Sequence, residues 1–312
     1  MATRSNSSKM WLSLWTVYII WGSTYLAIAI SIKTMPSLAA MGLRFLIASA
    51  LLALWVGLKQ GWHELRITKR EFWSTALLGG MLLGVGIGTV SLAERYVPSG
   101  IVALIIAAMP LWISLFRVIA GDRPTKLSWA GIAIGFIGVG LLLRPGQVKA
   151  PSGVTSGELL FWMMAVLLAN LVWAFGTYMT PRFQTPKNSL MVTTVQMFAG
   201  GVSLFTVGMI HGDSLSQFFH ASAFSWFGWS YLVVVGSVIA YSAYLWLVGN
   251  APVAMTSTYA YVNPVIAVIL GAIVLSEPIS LPMIVGAATV ILGVILVITA
   301  ESKSKSARNL ER

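Results

Sequence analysis

Residues 10–32 read MWLSLWTVYIIWGSTYLAIAISI, a run without a charged side chain. A helix needs roughly 20 mostly apolar residues to cross the hydrocarbon core of a bilayer, so this run is read as a transmembrane helix. Working outward, uncharged runs of the same kind cover 72–93, 96–116, 127–143, 159–181, 188–210 and 278–300, and 34–58 is interrupted only by Arg44. The uncharged run 214–276 opens on a polar stretch (Ser214, Ser216, Gln217, His220) and breaks at Asn250-Ala251-Pro252, leaving spans near 225–249 and 253–275. The expected fold class is all-α integral membrane, with ten transmembrane helices. The first run also contains Ala27-Ile28-Ala29, the small-x-small form of a signal cleavage site. It is longer than a usual signal core and has a counterpart in mid-chain, so it is read as a retained span.

Composition agrees. Of 312 residues, 57% are hydrophobic and 9% charged, and the mean hydropathy is +0.84, which excludes a soluble domain with a watery surface. The net charge of +11 does not imply a nucleic-acid partner, because the basic residues lie between apolar runs rather than on one solvated face. The partners expected are the lipid bilayer and a small-molecule solute, with the chain acting as a monomer. The absence of cysteine removes disulfides, thiolate catalysis and Cys-ligated metals. No P-loop and no His-Glu-x-x-His spacing occurs, so no cofactor, no metal and no catalytic residues are expected.

Lys and Arg resist translocation, so their distribution orients the chain. Fifteen of them, from Arg4 and Lys9 to Arg308 and Arg312, fall on one side of the ten spans; Lys33, Arg95, Arg144 and Lys149 fall on the other. Both termini are expected in the cytoplasm, in a bacterial inner membrane.

The two halves align with one another. At a spacing of 152 residues Trp21 falls on Trp173, Gly84 on Gly236 and Arg44 on Gln196. At 154, Pro98 falls on Pro252, Pro110 on Pro264 and Pro124 on Pro278; at 155, Asp122 falls on Glu277, Gly131 on Gly286 and Gly138 on Gly293. Ordered matches with such small drifts indicate duplication, with repeats at 1–150 and 151–312. Each repeat holds five spans, an odd number, so the second enters the membrane from the opposite side. Inverted repeats recur in secondary transporters, where pseudo-symmetric halves open a mid-membrane site alternately to each side.

Particular residues carry a resemblance. They are Trp21-Gly22-Ser23-Thr24-Tyr25-Leu26-Ala27 in the first span, Leu43-Arg44-Phe45-Leu46 in the second, Pro110 followed by Gly121-Asp122-Arg123-Pro124, and Pro264 followed by Ser276-Glu277-Pro278. Together they resemble the EamA-type branch of the drug/metabolite transporter (DMT) superfamily over about 11–300. Asp122 stands where that family more often has Glu. The resemblance implies ten helices in two inverted five-helix repeats and export of amino acids or related metabolites, with bacterial aromatic amino-acid exporters as the nearest guess.

Several residues qualify as transport candidates on their own chemistry. Arg44 is costly inside a span unless it faces a cavity, finds a partner or snorkels to the nearby interface. Trp21 with Tyr25, Asn170 with Trp173, Tyr241 with Tyr244, and Tyr259 with Asn263 recur at spacings of three and four, which place each pair on one helix face. With Trp112 they form the expected substrate-binding set, lining a cavity shared by spans one, four, six, eight and nine. Rings would stack on the solute while amides and hydroxyls hold its polar end; interhelical packing is the alternative use of the same residues. Pro110 and Pro264, in mid-span, are hinge candidates or static kinks. Gly80, Gly84 and Gly88 would let the third span pack closely.

Glu94, Glu158 and Glu277 fall near span ends and His63, His211 and His220 in loops, so no carboxylate relay is evident. Facilitated diffusion is therefore favoured over proton exchange through Glu94. Two other readings stay open: export of drugs or other metabolites, and an intramembrane lipid-modifying enzyme, for which no constellation of nucleophile and base is found.

Overall fold

A computed structural model describes residues 3–144, 146, 148–251, 253–256 and 258–310. Pro252, paired above with Pro98, lies outside them. The described chain is helical, without a strand. Its apolar helices are α1 (Ser8–Ser31), α2 (Ser37–Lys59), α3 (Lys69–Ala93), α4 (Ser99–Ile119), α5 (Lys126–Leu143), α6 (Ser156–Arg182), α7 (Ser189–Ile210), α8 (Ala223–Tyr244), α9 (Tyr259–Leu275) and α10 (Leu281–Ala300). Nine are long and apolar enough to cross a bilayer, and α9, of 17 residues, is shorter. Ile137, Phe161, Ile273 and Leu292 are exposed on these helices, as side chains facing lipid should be.

Local chemistry sets the helix starts. Thr68 begins α3 with a capping box: its hydroxyl accepts from Glu71 N while the Glu71 carboxylate accepts from Thr68 N at 2.8 Å. Ser222 holds the corresponding place before α8, accepting from Ser225 N. Thr125 before α5 and Ser280 before α10 form another repeat-related pair of caps. Each satisfies a backbone N–H that the first helical turn leaves without a partner.

One boundary differs from the reading of the sequence. Helical structure after α8 continues to Asn250, as read, but the ninth span starts at Tyr259 rather than 253. Between them a short turn, Val253–Thr256, ends where the Thr258 N–H and hydroxyl both fold back on the Met255 carbonyl. The two mid-span prolines also differ. Helix α4 is interrupted at Ala107 and Ala108 and restarts at Met109, with Pro110 in its new first turn, whereas Pro264 sits inside the continuous α9.

Within α3 and α8 the helix widens to π geometry over Gly80–Ile87 and Leu232–Ile239, the same register at a spacing of 152. Gly88 N donates to Leu83 O, and Ala240 N to Val235 O, each five residues back. Such segments are rare and recur at functional positions.

The chain forms two compact units: Met1–Leu26 with Tyr96–Ala174 and Ser242–Arg312, and Ala27–Arg95 with Phe175–Tyr241. Each takes helices from both halves of the sequence. In the first unit α5 packs along α10 and α4 along α9; in the second α2 packs along α7. Every one of these is a pair of repeat-equivalent helices, as a pseudo-two-fold requires. Glycines set the close approaches. A Cβ on Gly131 would stand 2.9 Å from Gly293 O, and one on Gly42 would stand 2.8 Å from the Cα of Phe205.

Candidate functional site

Three of the sequence-selected rings meet in the first unit. Trp21 on α1, Tyr244 at the end of α8 and Tyr259 at the start of α9 form a triad, with centroids 5.0 Å apart for Trp21–Tyr244, 5.2 Å for Trp21–Tyr259 and 5.8 Å for Tyr244–Tyr259. The two contacts to Tyr259 are edge-to-face, the arrangement ring quadrupoles favour. Gly22 permits it, since a Cβ there would meet Ile266 of α9 at 2.8 Å.

Beside the triad, the Tyr18 hydroxyl hydrogen-bonds the Thr258 hydroxyl. Asn263, 8% exposed, donates its amide N–H groups to Tyr259 O at 3.3 Å and Tyr18 O at 3.2 Å in the orientation that satisfies it. Tyr18 and Thr258 escaped the sequence reading because 240 residues separate them and neither stands out in its own span.

On α6, Asn170 is 2% exposed and donates to Ile105 O at 2.9 Å and Ile106 O at 3.3 Å of α4. Ile106 is four residues before Pro110, so its carbonyl is the one a proline leaves without the helical N–H. Asn170 supplies that missing donor. Its own Oδ1 is buried with no hydrogen-bond partner among the described residues, and so is the indole N–H of Trp112 on α4. Trp112 packs edge-on against Phe136 of α5 at 4.5 Å. Trp173 and Tyr25 are half-buried in the same unit. Glu277 caps the start of α4, accepting from Ser99 N at 2.8 Å and Gly100 N at 3.2 Å, while its repeat mate Asp122 pairs with Arg117 at 2.9 Å.

Arg44 and the half-buried Tyr241 belong to the second unit. Arg44 is 5% exposed. Its guanidinium turns into the protein instead of snorkelling outward, and Nε donates to Ser237 Oγ at 3.2 Å. Ser237 lies in the π segment of α8 and itself donates to Leu232 O, five residues back, at 2.9 Å. Gln196, the repeat mate of Arg44, stands against α3 just before its π segment: a Cβ on Gly79 would come within 2.7 Å of the Gln196 Cα.

This assembly of paired inverted helices, with polar side chains buried at mid-span, agrees with a family signature found twice in the chain. The EamA-like transporter family matches residues 9–144 and 160–299. The chain belongs to that family. This EamA-like transporter is 40% identical over 260 residues to the uncharacterized inner membrane transporter YedA of Escherichia coli (strain K12), covering 83% of this chain and 80% of the relative. It is 27% identical over 303 residues to protein PecM of Dickeya dadantii, covering 94% of each. It is 26% identical over 298 residues to the uncharacterized transporter YvbV of Bacillus subtilis, covering 93% and 91%. A crystal structure shares the fold with a TM-score of 0.62, at 20% identity over 95% of this chain and 98% of the other. The protein is thus a multi-pass membrane transporter of the DMT fold and not an enzyme.

Proposed function

We propose that this transporter is a secondary carrier that exports a small metabolite, an amino acid with an aromatic or other side chain, by alternating access. Its place is the bacterial inner membrane, in line with the name of the Escherichia coli relative, and the excess of Lys and Arg on one side supports a cytoplasmic position for both termini. The observation that carries the reading is that two of the candidate residues, Asn170 through Oδ1 and Trp112 through Nε1, bury a polar atom with no hydrogen-bond partner among the described residues. A buried acceptor and a buried donor are costly unless something hydrogen-bonds them, and an amino acid brings both kinds of group. Trp21, Tyr25, Trp173, Tyr244, Tyr259 and Asn263 belong to the same compact unit and would supply apolar and aromatic area, the usual lining of a small-molecule site.

Support for alternating access comes from the packing of repeat-equivalent helices on each other and from π segments in one register of both repeats. Pro110 and Pro264 are the proposed hinges. Flux is taken to be facilitated diffusion. Saturable counterflow of amino acids into vesicles reconstituted with the purified chain, unchanged when a pH gradient is collapsed, is the expected result. A non-saturating leak would make the protein a pore, and flux that vanishes with the gradient would make it a proton exchanger.

A further inference from the structure

Arg44 is the one basic residue away from a span end, and it stands eighth in α2. A guanidinium has five N–H donors in a planar fork. Here Nε goes to the Ser237 hydroxyl at 3.2 Å, Nη1 reaches only the weak Met41 sulfur acceptor at 3.8 Å, and the guanidinium carbon lies 4.7 Å from the Phe45 ring centroid. All three neighbours are neutral. The ion pair Arg117–Asp122 and the contact His63–Glu64 lie elsewhere, and among the described residues no carboxylate comes within 4.0 Å of Arg44.

A structural reason for so costly a buried charge would be to satisfy backbone groups, as Asn170 does for Ile105 and Ile106. Arg44 takes no backbone carbonyl among the described residues. A full positive charge inside a membrane protein is retained where a counter-charge visits it, and the planar fork matches a carboxylate through two parallel hydrogen bonds. The repeat mate Gln196 is neutral, so the duplicated position supplies one charge rather than two, suited to a solute with a single acidic group.

We infer that Arg44 is the counter-charge for a carboxylate on the transported solute, and that this contact makes the carrier select amino acids over the corresponding amines. The inference rests on the reading of the protein as a carrier of amino-acid-like metabolites. During binding the carboxylate docks on the two N–H groups of the fork's outer edge, while Nε keeps its bond to Ser237. Because Ser237 is tied to Leu232 O within the π segment, occupancy at Arg44 is also mechanically linked to α8.

The test compares phenylalanine with phenethylamine, and leucine with isoamylamine, in counterflow assays on the purified full-length chain in vesicles. Wild type is expected to exchange the amino acids and reject the amines. Arg44→Gln is expected to reduce the ratio of amino-acid to amine flux by about tenfold or more, the effect of losing a charge-assisted contact, and Arg44→Lys is expected to keep part of it. Wild type carrying amines as readily as amino acids overturns the inference without recourse to a variant, and leaves the carrier reading standing. So does an Arg44→Gln protein that elutes as a monodisperse species with unchanged selectivity. Absence of flux for every compound overturns the carrier reading and the inference with it. Vesicles of phosphatidylcholine alone and with phosphatidylglycerol complete the experiment. Discrimination that appears only with the anionic lipid would assign Arg44 to a lipid headgroup and overturn its assignment to the solute.

Discussion

The side-chain amide of Asn170 stands 3.3 Å from the carbonyl of Ile106 and donates to it, where Pro110 four residues on cannot. The break in α4 is therefore held open from α6 by a polar contact that also takes Ile105 O. Asn170→Leu should destabilise the protein by about 1 kcal/mol, the low end of the cost of orphaning a buried hydrogen-bonding group, because the unfolded chain in a membrane also finds partners. Pro110→Ala restores a backbone N–H at that position, so the double variant should recover most of the loss. A double-mutant cycle on unfolding in detergent measures the coupling; strictly additive effects would show that Asn170 does not serve the proline break.

The glycines of the α5–α10 contact make a second prediction. A Cβ on Gly293 would press on the backbone of Gly135 and lie 2.7 Å from Gly131 O, whereas a Cβ on Gly140 of α5 meets no heavy atom within 4 Å. Backbone cannot move aside as a side-chain tip can. Gly293→Ala should cost about 1–3 kcal/mol, and Gly140→Ala should be neutral or stabilising by up to about 1 kcal/mol, the helix propensity of alanine. The fraction that stays monodisperse after stepwise heating ranks the two, and equal losses would contradict the packing.

How far the sequence reveals this architecture depends on whether a feature is local. The spans were legible because a hydrocarbon core demands a length and an absence of charge that any window shows, and the repeat because glycines and prolines punctuate it in order. The π segments were not. Gly84 and Gly236 mark their register, but a hydrogen bond from Gly88 to Leu83 or from Ala240 to Val235 depends on packing against α2 and α7, which one span cannot report. Similarly, Pro110 and Pro264 occupy the same register, yet only Pro110 accompanies a break, at Ala107–Ala108, while on the other side the turn comes earlier, at Thr258, closed by a threonine hydroxyl. Arg44, Asn170 and Asn263 stood out as polar groups in apolar surroundings; their partners Ser237, Tyr18 and the Ile106 carbonyl did not, being ordinary residues made important by contact.

Repeat mates need not carry equal weight, as Glu277 and Asp122 should demonstrate. Glu277 satisfies two backbone N–H groups at the start of α4, so Glu277→Ala should lose about 0.5–2 kcal/mol. Asp122 is half-exposed and holds only Arg117, so Asp122→Ala should change stability by less than about 1 kcal/mol. Melting of the two purified variants side by side checks the difference. A loss at Asp122 as large as that at Glu277 would mean that the surface pair matters more than its exposure allows.

Trp21 and Trp173 provide the same contrast at the proposed solute site. Trp21 is locked between Tyr244 and Tyr259, while Trp173, equally placed in the other repeat and half-buried, enters no ring pair among the described residues. A ring already committed to its neighbours contributes chiefly to packing; one whose faces are uncommitted can stack on a solute. Trp21→Ala is therefore expected to lower the melting temperature along with transport. Trp173→Ala should leave melting nearly unchanged and raise the half-saturating solute concentration about two- to tenfold, the range for loss of one ring contact. Asn263→Ala falls between them, because its amide ties α9 to Tyr18 and its loss shifts the triad as well as the site. Phe161→Ala, on the lipid-facing side of α6, is the control in which neither quantity should move. Unchanged saturation in Trp173→Ala, with normal expression, would remove Trp173 from the site and leave Asn170 and Trp112 as its polar contacts.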